Sequence, residues 1–146
     1  MKEKKELDIF SGLEEYKLKN DQRILELKEL ILKSSKWSAG NELLKLNAML
    51  TLEKINKWKE EKRIFSIFHN GEELYPLYIF NELLQPIKSV HSVLKIFADE
   101  KNSWSIVFWF ESVNSWLGNK KPKDLLFEDE KLIFAAEREK EGVLHG

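Results

Sequence analysis

Side chains suited to chemistry are sparse in this sequence. His69, His91 and His145 lie far apart and form no HExxH-type pair, so their spacing gives no metal site. With no Cys there is neither a thiolate nucleophile nor a disulfide framework, which makes a reducing cytoplasm the expected compartment. No GxSxG, no Gly-rich phosphate loop and no carboxylate pair beside a nucleophile occurs. These absences argue against an enzyme and against a cofactor. The strongest local cluster is polar: Thr51, Glu53, Lys54, Asn56, Lys57 and Lys59 within nine residues. Amide and ammonium groups on one face of a helix are the groups that reach base edges and phosphates in a major groove.

A helix must carry that cluster. Thr51 has the character of an N-cap, and Leu52, Ile55 and Trp58 recur at helical spacing as an apolar face, turning the lysines elsewhere. Ser38 reads as the cap of a preceding helix with Leu43, Leu44 and Leu46, and Ala48 faces inward. Between them, the turn position that usually demands a left-handed backbone is Met49, with Asn47 the residue nearby that tolerates it.

After Arg63 the period changes to two. Ile64, Phe65, Ile67 and Phe68 lead into His69-Asn70-Gly71, then Leu74, Tyr75 and Leu77 to Phe80 follow, which predicts a hairpin with its turn at Asn70-Gly71. Pro76 places the second strand at an edge or ends it. Helix, turn, helix and hairpin in that order is the arrangement of a winged helix-turn-helix.

The remainder reads as helix. An amino-terminal stretch, Ser11 to Lys33, has Ser11 with Glu14 as a capping box and Asp21 as a second cap. Further helices start near Pro86, at Ser103, at Pro122 and at Glu128. The fold class expected is mostly α: a helix-turn-helix unit with one wing-like hairpin in residues 1–83, then a helical domain over 84–146. Trp58, Phe65, Leu94, Trp109, Leu117 and Leu125 are the expected core.

At 146 residues with 17 aromatics, the chain can fill such an interior without staples. Its net charge is −1, yet residues 1–63 hold 15 basic and 12 acidic residues while 64–146 hold 9 and 13, net +3 against −4. That asymmetry suggests two surfaces with two kinds of partner. The charged start MKEKKELD and the lack of a long apolar run predict a soluble protein with no membrane contact.

From Trp58 onward the order of blocks resembles the Xre/MbcA/ParS-type antitoxins. Trp109, Asn114, Leu117, Gly118, Pro122, Asp124, Leu125 and Leu126 follow that family's Trp-led segment, Pro-Asn, Leu-Gly-Gly and Pro-x-Asp-Leu-Leu. Val113 stands in place of the Pro and Asn119 in place of the second Gly. Upstream, Gly71, Tyr75, Pro76, Tyr78 and Phe80 resemble the block that often precedes the family's toxin-binding domain, with Ile79 and Asn81 departing from it. The resemblance covers roughly residues 43–138. It implies an antitoxin of a type II toxin-antitoxin system: a homodimer whose front half binds operator DNA and whose carboxy-terminal domain blocks a cognate, NAD-consuming toxin. It also implies a plug at the carboxy-terminal end, with Glu139, Val143 and Leu144 as toxin-binding residues. A stand-alone winged helix-turn-helix regulator without a toxin is the alternative.

Overall fold

A computed structural model describes residues 19–145, with side chains to residue 142. The chain divides into two compact units, 1–35 and 36–146, and the division expected at 83/84 falls inside the second. In the first unit, residues 19–34 form helix α1, so Asp21 lies within a helical run rather than at its cap. The expected capping box, Ser11 with Glu14, lies outside the described residues.

The second unit is mostly helical with one small sheet. It opens on β1 (Trp37–Ala39), followed by α2 (Gly40–Leu46) and α3 (Leu52–Glu60). Ser38, expected as a helix cap, is a strand residue opposite Tyr75, and Ala39 precedes the helix without a side-chain cap. All three residues of β1 pair with the chain at Leu74 to Pro76, Ser38 and Ala39 both buried there, and that pairing outweighs the local capping preference of Ser. The α2–α3 turn needs no left-handed residue: Asn47 is extended at φ −148, and its side-chain oxygen accepts from Met49 N at 2.9 Å. Thr51 does cap α3, accepting from Lys54 N at 3.1 Å.

Strands β2 (Ile67–His69) and β3 (Glu72–Pro76) form the hairpin, with Asn70 at φ 51 and Gly71 at φ 76 as a two-residue turn needs. The sheet is antiparallel in the order β1-β3-β2. Pro76 therefore ends a central strand rather than marking an edge, and Leu77–Ile79 turn into a 3-10 helix where extended chain is expected. Helices α4 (Lys88–Phe97), α5 (Ser103–Glu111) and α6 (Asp129–His145) complete the unit, with 3-10 turns at Ser115–Leu117 and Pro122–Asp124. Asn102, one residue before Ser103, caps α5 through Ser105 N at 2.9 Å.

Aromatic packing ties the hairpin to the later helices. Phe65 stacks on Phe110 at 5.2 Å, Tyr78 lies 6.2 Å from Phe110, and Trp109 meets both Phe97 and Phe110 edge-on. Leu132, Ala135 and Ala136 are fully buried on α6, whose small side chains let it lie close to α4. Of the expected core, Trp58, Phe65, Leu94, Trp109 and Leu117 are buried; Leu125 is only half-buried, and its neighbour Leu126 fills the interior instead. Leu52, expected on the apolar face of α3, is largely exposed. No helix among the described residues is long and apolar enough to cross a membrane.

Candidate functional site

Two surfaces collect the residues singled out by sequence. On α3, Glu53, Lys54, Asn56 and Lys57 are exposed together, and Thr51 is spent on the cap. Lys59 does not join them. It lies one helical turn after buried Ile55, on the inward side, and its Nζ donates to Glu73 Oε2 on the hairpin at 2.6 Å.

Glu73 is a hub. Its Oε2 also accepts from Ser66 Oγ at 2.6 Å and its Oε1 from Tyr75 OH at 3.2 Å. Burial pushes this carboxyl up, but the Lys59 and Ser66 hydrogen bonds and the Lys59 charge outweigh it and hold the pKa below its ordinary value. The Tyr75 hydroxyl moves the opposite way, raised by burial and by the facing carboxylate.

The second surface spans α5, the loop after it and α6. Its scaffold is the Asn114–Lys120 loop, which Asn114 closes almost alone. The Asn114 amide donates to Lys120 O at 2.9 Å, its carbonyl accepts from Leu117 N and Asn119 N, and its Oδ1 accepts from Trp116 N. Gly118 and Asn119 are both left-handed, at φ 65 and φ 61; Asn tolerates that backbone, so it can stand where the resembled pattern has a second glycine. Pro122 then occupies the first position of a 3-10 turn. That turn is pinned to α5 by Lys123 Nζ, 2.8 Å from buried Glu111 Oε2. Asp124 is exposed in the same turn.

Most motif residues are thus structural: Tyr75, Pro76, Trp109, Leu117, Pro122 and Leu126 are buried. What they hold out is Trp116, 58% exposed, in edge-to-face contact with Phe134, 44% exposed, at 5.7 Å. The Arg138 guanidinium lies 4.9 Å from the Phe134 ring centroid.

The same half of the unit carries an open groove of about 360 Å³, walled by Phe108, Trp109, Val113 and Asn114 and closed at one end by Lys101 and Glu139. Those two side chains pair at 2.9 Å. Glu139 is therefore part of a groove wall rather than of a free tail, because α6 continues past it to His145. The side chains of Val143 and Leu144 lie outside the described residues.

Sequence reasoning missed Trp116 with Phe134, Lys101 with Glu139 and Glu111 with Lys123. Each pair joins distant positions, where no period is available as a signal. Among the described residues, no group of three or more His, Asp or Glu could hold a metal ion. No family model, no curated protein and no solved structure matches this chain.

Proposed function

We propose that the protein is an antitoxin of a type II system that binds a cognate toxin, of the NAD-consuming kind the resemblance implies, through the α5–α6 face. The observation that carries this reading is the Trp116–Phe134–Arg138 cluster beside the groove. Trp and Arg are the residue types that dominate interface hot spots, and an aromatic pair held in solvent by a hydrogen-bonded turn and a helix loses little freedom on docking. Charge complementarity through Glu139 and its neighbours would orient the toxin rather than supply the affinity. The carboxy-terminal end of α6 extends from this face as the continuation that reaches the toxin's cleft. Operator binding by a homodimer rests on Lys54, Asn56 and Lys57, a small set that needs two half-sites to give useful affinity.

The experiment is co-expression with the product of the adjacent gene. The parent protein is expected to co-purify with it, and the variant carrying Trp116→Ala and Phe134→Ala to lose at least about tenfold in affinity at an unchanged melting temperature. Capture of the toxin by the double variant as well as by the parent would remove this face from the reading. The stand-alone regulator is favoured by one observation, the β1-β3-β2 sheet behind the two short helices. Promoter binding without any capture of the adjacent product would decide for it.

A further inference from the structure

The end of α3 and the start of α4 frame a small cavity that neither surface above uses. Helix α3 closes tightly: Arg63 N donates to Trp58 O at 2.9 Å and Lys62 N to Lys59 O at 3.1 Å, with Lys62 left-handed at φ 57. The Lys62 carbonyl lies 3.0 Å from His91 Nδ1. A carbonyl can only accept, so Nδ1 carries the ring proton and Nε2 is the ring's second polar atom.

Between these fixed points lies a volume of about 190 Å³ lined by Arg63, Pro86, Ile87, Lys88 and His91. No carboxylate lines it. Arg63 Nε is 3.9 Å from Glu61 Oε2 with both side chains well exposed, a geometry that neutralises little. Lys88 makes no ion pair among the described residues. The volume falls below the roughly 300 Å³ at which pockets for drug-sized organic ligands begin, so a compact anion fits better than a ring system. Pro86 and Ile87 supply a dry wall that strengthens charge attraction.

We propose that this cavity binds a phosphate group, with Arg63 as the planar two-pronged donor and Lys88 as the point charge. His91 Nε2 completes the set, accepting from a protonated phosphate oxygen or donating once the ring holds both protons. The group can belong to a small phosphorylated compound or to a nucleic-acid backbone; the recognition chemistry is the same.

Inorganic phosphate is the probe, titrated into the full chain and followed by nuclear magnetic resonance. Saturable shifts confined to the Arg63 and Lys88 amides and the His91 ring are expected. Arg63→Gln with Lys88→Gln should weaken binding by at least about tenfold. Both residues are exposed, so the variant should melt with the parent, and a matching amide spectrum verifies its fold. Shifts spread over many lysines without saturation, or equal affinity in the double variant, would overturn the proposal. A short DNA duplex added to the phosphate complex separates the sources. Loss of the bound-phosphate shifts identifies the DNA backbone as the natural donor, and their persistence identifies a small phosphate compound.

Discussion

Helix α3 and the α5–α6 face show how differently a fold can treat the residues a sequence offers for contact. Helix α3 offers three lysines, and the fold withdraws one: Lys59 turns inward to Glu73, leaving Lys54 and Lys57 beside Glu53 on the exposed side. The α5–α6 region offers aromatics that by spacing belong to a core, and the fold releases some of them. Trp109 and Phe110 are buried, while Trp116 and Phe134 are presented to solvent. Residue type alone therefore misleads in opposite directions. An ammonium group becomes structural where a carboxylate on the neighbouring hairpin faces it, and a tryptophan becomes available where a three-residue 3-10 turn rotates it out of line with Leu117.

The comparison breaks most sharply at Trp109. If its ring is core, Trp109→Ala should cost about 3–5 kcal/mol by thermal or chemical denaturation, since edge contacts to Phe97 and Phe110 vanish together. A melt matching the parent would put Trp109 among the contact residues with Trp116. Next in size is Lys123→Ala, which strips buried Glu111 of its cation and should cost about 3 kcal/mol, while Lys123→Arg retains most of the stability. A loss of only a few tenths would mean that the Lys123–Glu111 pair contributes little to holding the Pro122 turn.

Much of this was legible beforehand because it is local. Asn70-Gly71 fixes the hairpin through backbone conformations that two residues determine, and Thr51 fixes the start of α3 through one hydrogen bond. Ser38 was misleading because its capping preference competes with pairing to Tyr75, a partner 37 positions away. Leu125 and Leu126 were exchanged because a 3-10 turn rotates residues differently from an α-helix, so the burial phase shifts by one. Glu139 lies in the carboxy-terminal segment that the resemblance points to, but its place in a groove depends on Lys101, a contact across 38 positions. Of the DNA cluster only Lys59 leaves the exposed side, because the carboxylate that decides its place sits on another element.

The contrast within α3 itself sharpens with salt. Under the operator-binding reading, Lys57→Ala should reduce the slope of log affinity against log salt by about one phosphate contact. Lys59→Ala should leave that slope unchanged, because its ammonium is already committed to Glu73. Equal changes in both variants, measured by titration of labelled promoter DNA at several salt concentrations, would mean that the Lys59–Glu73 pair opens on the duplex.

The smallest effect tests the same pair from its acid side. The Glu73 pKa lies below its ordinary value of 4.5 in the folded chain, so the folded state favours the charged carboxylate more than the unfolded state does. The stabilisation is therefore complete above the unfolded value and is lost as pH falls through the folded one. Denaturation measured from pH 6 downward should show stability declining below about pH 4.5, with Glu73→Gln removing part of that decline and showing a small deficit at neutral pH. The side chain remains partly exposed, so the deficit should be small. Adding Lys59→Met to Glu73→Gln should restore a similar amount at every pH of that range, because Glu73→Gln leaves the partly buried ammonium without its counter-charge throughout. Lys59→Met alone keeps the carboxyl and should weaken the decline below about pH 4.5; a decline as steep as the parent's would show that Ser66 and Tyr75, rather than Lys59, set the carboxyl's titration.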